Sequence, residues 1–241
     1  MAIRISTTDT GFDGRFKDLL AQKREVTEDV DTAAREIIAD VRANGDAALL
    51  RLTEKFDRVA LSPETLRTSA AQVDDAMTRC DPDTLDALRF AHGRIERHHR
   101  RQKPLDDRYT DETGAELGYR WTPVQSAGLY VPGGTASYPS SVLMNVVPAK
   151  TAGVGRIVVT VPAPDGDINP LVLAALRIAG VDEIYQVGGA QAVAALAFGT
   201  ETIAPVAKIV GPGNAYVAAA KRQVFGTVGI DSIAGPSEVL V

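Results

Sequence analysis

An α/β fold built on a parallel sheet is predicted by three features of the second half of the chain. Short continuous apolar runs at 156–161 and 183–187, with a briefer one at 208–210, have the composition of strands covered on both faces. Alanine-rich helical stretches at about 137–152, 169–180, 189–198 and 213–225 alternate with them, the order expected of βαβ units. Four glycine-bearing turns stand at the joins: Tyr130-Val-Pro-Gly-Gly134, Val187-Gly-Gly-Ala-Gln191, Val210-Gly-Pro-Gly-Asn214 and Ala234-Gly-Pro-Ser-Glu238. Glycine permits positive φ and close approach of a ligand to the main chain, and the helix that follows offers unpaired N–H groups to an anion. In an open α/β sheet such turns gather along the carboxyl edge of the strands, where ligands bind. A nucleotide crevice is the first functional expectation.

The first half is a physically different object. Residues 1–125 hold 20 of the 26 Lys and Arg and 24 of the 31 Asp and Glu, whereas residues 126–241 hold 15 of the 21 glycines, so a boundary falls near residue 125. In chain order, Thr27 caps an amphipathic helix with Glu28, Asp29 and Asp31 in its first turn and Val30, Ala34, Ile37, Ile38 and Val41 on its apolar face, stopped by Asn44-Gly45. A second short helix turns Leu49, Leu50 and Phe56 inward. Leu66-Arg-Thr-Ser69 reads as a strand. Asp81-Pro82 begins a long helix with Leu85, Leu88, Ile95 and His99 along one face, and Gly114 sits in a hairpin between residues 109–113 and 116–121.

Composition narrows the function classes. With 241 residues, 45% of them hydrophobic, the chain has material for one large or two modest domains. A net charge of -5 gives no electrostatic reason to expect nucleic acid, and the basic run Arg94-Ile-Glu-Arg-His-His-Arg-Arg-Gln-Lys103 is offset by acids elsewhere. Cys80, the single cysteine, excludes an internal disulfide and a structural cysteine–zinc site, which suits a reducing cytoplasm. No signal-peptide core opens the chain, and no apolar run approaches the roughly 20 residues of a membrane span. A cytoplasmic protein without membrane partners is expected.

Neither standard nucleotide fingerprint is present: there is no G-x-x-x-x-G-K-[ST] loop, and Gly211-Pro-Gly213 lacks a third glycine because position 216 is Tyr. What favours a ligand is the set of polar side chains in the turns, Tyr130, Gln191 and Asn214, each within three residues of a glycine pair or Gly-Pro-Gly. Each has a structural alternative: Tyr130 packs its ring between domains, Gln191 caps a first turn, Asn214 takes an N-cap or left-handed conformation. The second half holds six cations, so a pyrophosphate must rely mainly on backbone N–H groups at helix starts. His92, His98 and His99 share one predicted helix, adjacent ones diverging by about 100°, and cannot hold one ion without help from elsewhere. Cys80 follows no glycine turn and has no nearby base, and no histidine follows residue 99, so neither a nucleophilic thiol nor a Ser-His-Asp set can be argued.

Longer matches extend these turns. Ala127-Gly-Leu-Tyr-Val-Pro-Gly-Gly134, Val187 through Glu201, Lys208-Ile-Val-Gly-Pro-Gly-Asn-Ala-Tyr-Val217, Ala220-Lys-Arg-Gln-Val224 and Ala234-Gly-Pro-Ser-Glu-Val239 resemble histidinol dehydrogenase, most strongly over 126–241 and more loosely back to about residue 26. The resemblance implies a zinc-containing homodimer that oxidises L-histidinol through the aldehyde to L-histidine with two NAD. It also implies two Rossmann-like, aldehyde-dehydrogenase-like αβα domains, the second inserted into the first. On that pattern 126–236 is the inserted NAD-binding domain, 1–125 a helical arm and partial first domain, and 237–241 a return strand that leaves the first domain incomplete. Carried over by motif, Tyr130, Gln191 and Asn214 match positions that contact NAD, and Ser237 the serine that contacts histidinol. The family's zinc ligands and its Glu-His acid/base pair lie beyond Val241, so no catalytic or metal residue is assigned within the chain, and activity of this chain by itself is not expected. The alternative from another class is a noncatalytic NAD-binding or assembly fragment. Removing Gln191 or Asn214 is expected to weaken cofactor binding while leaving thermal stability nearly unchanged.

Overall fold

The computed structural model describes residues 5–133 and 138–233, those at 18–27 by their backbone only. Helix α1 (Phe12–Asp57) opens the described chain, followed by α2 (Pro63–Leu66), α3 (Ala70–Thr78), α4 (Pro82–Gln102) and the hairpin strands β1 (Asp107–Thr110) and β2 (Glu116–Tyr119). The second half runs β3 (Ser126–Tyr130), α5 (Pro139–Ala152), β4 (Arg156–Thr160), α6 (Pro170–Ile178), β5 (Glu183–Tyr185), α7 (Gly189–Phe198), β6 (Lys208–Val210), α8 (Ala215–Val224) and β7 (Gly229–Ile230). Strict alternation after residue 125 is the pattern the sequence predicts.

The five strands of the second half form one parallel sheet in the order β5-β4-β3-β6-β7. The chain enters at the middle strand, builds outward to β5, then crosses back to add β6 and β7 on the other side. Strand order therefore reverses between β3 and β6, and the carboxyl ends there leave a crevice. Leu129 of β3 lies opposite Val159 of β4 on one side and Val210 of β6 on the other.

Alternation along the strands divides the core. Tyr130, Val158 and Ile209 face α7 and α8, whereas Leu129, Val159 and Ile184 face α5 and α6. The helices of the first half form outer layers over these: α1 packs on α7 and α8, α3 on α6, and α4 on α5 and α6. The sheet is thus buried on both faces, which is why its strands read as continuous apolar runs.

Three local features differ from the sequence expectation. The first helix does not begin at Thr27: it runs through that position from Phe12, then breaks at Gly45 (φ 52, ψ -132), the predicted stop. Glu201 accepts the Asp46 N–H at 2.7 Å and Asp46 pairs with Thr202, so the break is clasped by the segment before β6. Residues 66–69 make one antiparallel bridge, Arg67 to Tyr185, rather than a strand. Ser69 ends it by capping α3, its hydroxyl accepting the Gln72 N–H. Phe56, expected inward, is 45% exposed.

Candidate functional site

The three polar side chains singled out in the sequence line one cavity of about 660 Å³, together with Asp57, Pro132, Gly133, Pro162, Gly189 and Gly213. It opens at the carboxyl ends of β3 and β6, where the strand order reverses. Phe56 and Tyr216 stand on its lining as exposed rings, and Lys55 brings one cation to it from the first half. The count of six cations in the second half did not include this lysine.

Tyr130 closes strand β3 and is 3% exposed. Its hydroxyl accepts the Gly189 N–H at 3.1 Å, which ties the first glycine turn to the second. Burial above all holds its phenol higher than the ordinary value, with the Gly189 hydrogen bond opposing and the charge of Asp57 adding to the rise. It therefore stays protonated at neutral pH and can donate its hydrogen. Tyr130 is thus a neutral hydroxyl on the cavity lining rather than a phenolate.

Gln191 sits in the first turn of α7, 2% exposed, after a turn that only glycine fits. Gly189 has φ +64, and a Cβ there would lie 2.6 Å from Gln191 Oε1. The side chain does not cap its helix: the N-cap is Gly188, which makes no side-chain cap bond. Asn214 does cap α8, its Oδ1 accepting the Val217 N–H at 3.1 Å. The cap engages the oxygen of a side chain that also lines the cavity. One consequence revises the sequence expectation: Asn214→Ala removes an N-cap and costs about 1 kcal/mol of stability.

Asp57 is the residue that sequence reasoning missed. It ends α1, is 8% exposed, lines the cavity, and its Oδ2 has no hydrogen-bond partner. Burial pushes its carboxyl above the ordinary value, against a backbone hydrogen bond from Ala163 and the charge of Arg58. Ser237, the expected substrate contact, lies outside the described residues, as do Gly134 and the fourth glycine-bearing turn.

Histidine and cysteine chemistry stays apart from this crevice. His98 and His99 are neighbours on α4, as expected, and their rings meet edge-on at 5.2 Å between centroids. Cys80 donates to the Ala76 carbonyl at 3.2 Å, and burial pushes its thiol up, away from nucleophilic character. Among the described residues no three His, Cys, Asp or Glu side chains gather as a metal site requires, and no helix is long and apolar enough to cross a membrane.

Comparison with known proteins gives a consistent picture. The family model described as histidinol dehydrogenase matches residues 20–241. Histidinol dehydrogenases of Bradyrhizobium diazoefficiens and Mesorhizobium japonicum are 66% and 65% identical over 241 residues, all of this chain and 56% of each relative. The crystal structure of histidinol dehydrogenase from Elizabethkingia anophelis superposes with a TM-score of 0.82 at 36% identity, covering 86% of this chain and 48% of that one. The chain spans about half the length of the relatives it matches.

Proposed function

The chain belongs to the histidinol dehydrogenase family, and on that premise we propose that its crevice holds NAD for an enzyme that oxidises L-histidinol through L-histidinaldehyde to L-histidine. The observation that carries this reading is the meeting of Tyr130, Gln191 and Asn214 in one cavity at the reversal of strand order. A dinucleotide fits the residues present: the volume is that of a cofactor pocket, the walls offer two exposed rings, and the helices α7 and α8 begin at it.

Bound NAD would supply the hydride acceptor. The chain's own part is to bind and orient. Backbone N–H groups at the starts of α7 and α8 face the anionic centre of the ligand, and Lys55 adds charge at the rim. Tyr130 and the Asn214 amide donate, the buried Gln191 amide fixes position, and the apolar surroundings keep competing water out. The described residues do not fit a zinc ion, so the family's metal would need ligands from outside them, as would the acid/base pair. Residues 126–236 are read as the NAD-binding Rossmann-like domain, inserted into a first domain to which 1–125 and 237–241 contribute, with Ser237 placed for L-histidinol. The reading as a noncatalytic assembly fragment gains no support from a crevice this well furnished.

Titration calorimetry with NAD tests the assignment. Gln191→Ala and Asn214→Ala are each expected to weaken binding roughly threefold to tenfold, the loss of one net hydrogen bond. Equal affinities in all three proteins would put the cofactor elsewhere. The whole protein is read as a cytoplasmic homodimer, and Tyr109, Leu117, Tyr119 and Trp121 on and beside the β1–β2 hairpin are exposed apolar side chains suited to an interface. Light scattering on this chain is expected to give twice the chain mass. A monodisperse monomer would count against that association.

A further inference from the structure

Two segments far apart in sequence are stitched together beside the crevice. The carboxyl of Asp57 accepts the Ala163 N–H, and Arg58 donates through Nε and Nη2 to both oxygens of Asp165, at 2.8 and 2.7 Å. Val59 then lies against Gly166, where a Cβ would come within 3.3 Å of its Cγ2. Both segments continue into the cavity lining, α1 through Lys55, Phe56 and Asp57 and the chain after β4 through Pro162 and Pro164. The middle stitch is the one that folding does not require. Among the described residues only Arg58 and Asp165 combine a side chain with positive φ, each at 58°. Arg58 ends α1 as a left-handed cap, its N–H bonded to the Glu54 carbonyl, where glycine would serve without strain. Strain of this kind gathers at ligand clamps.

Stability does not account for the pair. Its side chains are 62% and 68% exposed, and an exposed ion pair adds little to the folded state. What two parallel N–H···O bonds supply is direction. We propose that Arg58 and Asp165 are positioning residues, a latch that holds the Phe56 end of α1 at a fixed spacing from the Pro162–Pro164 segment so that the crevice fits its ligand. This rests on the cofactor reading above. The latch acts through the two segments it joins and touches no ligand itself.

Calorimetry with NAD on Arg58→Gly, Asp165→Asn and the double variant tests it, beside thermal unfolding of each. Either single change is expected to weaken binding roughly threefold to fivefold, the range an exposed pair can supply. The double variant should lose no more than one of them, because both remove the same contact. Thermal midpoints should stay within about 2 °C of the unaltered chain, the relief of left-handed strain offsetting the lost pair in Arg58→Gly. Asparagine keeps the left-handed conformation at 165, so Asp165→Asn tests the charge without disturbing the backbone. Losses that add in the double variant, or affinities unchanged in both single ones, would overturn the proposal. So would a loss of affinity matched by a midpoint drop of more than about 5 °C, which would make the pair a stabilising contact only. Tighter binding in Asp165→Asn would also overturn it, by showing Arg58 to be a phosphate ligand that Asp165 holds back. If the unaltered chain binds no NAD, the cofactor reading falls and this inference with it. If Gln191→Ala weakens NAD while neither latch variant does, only the inference falls.

Discussion

Gly211→Ala is expected to lower the thermal midpoint by roughly 5–15 °C and to weaken nucleotide binding with it. Gly211 follows β6 with φ +122, and a Cβ there would lie 2.2 Å from the carbonyl oxygen of Tyr130 and 3.0 Å from its carbonyl carbon. Both obstacles are backbone and cannot rotate aside. A left-handed conformation costs an L-residue roughly 1–2 kcal/mol, and forcing apart a packed region adds roughly 1–3 kcal/mol, which together give the midpoint shift for a chain of this size. The strain falls between β3 and β6, so Tyr130 and Asn214 are displaced relative to one another, and affinity is lost along with stability. Thermal unfolding followed by circular dichroism measures the first effect. A midpoint within about 2 °C of the unaltered chain would mean that the gap between the two strands opens freely.

The sheet was legible because burial on both faces leaves its mark on every strand residue. Arg156–Thr160, Glu183–Tyr185 and Lys208–Val210 appear close to where the apolar runs put them, and the glycine turns mark the carboxyl edge. What could not be read was the part of the crevice built by the first half. Helical spacing places Phe56 on an apolar face, but spacing does not say whether that face meets protein or a cavity. Phe56 lies on the crevice. Asp57 carries no local signal beyond an acid at an unfavourable helix end, since its burial depends on residues such as Tyr130 and Ala163 far along the chain. At Asn214 the structural and functional readings had been set against each other, yet they do not compete: its oxygen caps α8 while the residue lines the cavity. Residues 66–69 show the opposite failure. The β-like composition there was real, and Ser69 ended the pairing after one bridge because capping α3 competed for the same backbone.

Lys221→Met is expected to cost roughly 2–4 kcal/mol at neutral pH and progressively less as the pH falls. Lys221 is 5% exposed on α8. Its ammonium donates to the Gly211 carbonyl at 3.0 Å and pairs with Asp231, whose other carboxylate oxygen accepts the Gly211 N–H at 2.9 Å. The pair holds the turn after β6 from both sides. Methionine keeps the apolar stem but leaves the Asp231 charge without its cation, held by backbone N–H groups alone, which is the costly way to break a partly buried ion pair. Burial is the largest influence on Asp231 and pushes its carboxyl up, but the Lys221 hydrogen bond, the Gly211 and Ser232 backbone and the Lys221 charge together bring it below the ordinary 3.8. A carboxyl depressed in the folded state adds stability that is present above its unfolded value and lost as the pH drops through the folded one. In Lys221→Met both Lys221 contributions are gone while burial and the backbone hydrogen bonds remain, so the Asp231 carboxyl stands higher than in the unaltered chain and its protonation costs the folded variant less. The stability gap between the two proteins should therefore narrow between pH 7 and pH 4. Urea unfolding at both values checks this, and a gap of equal size at each would mean that Lys221 holds the turn by packing rather than by charge.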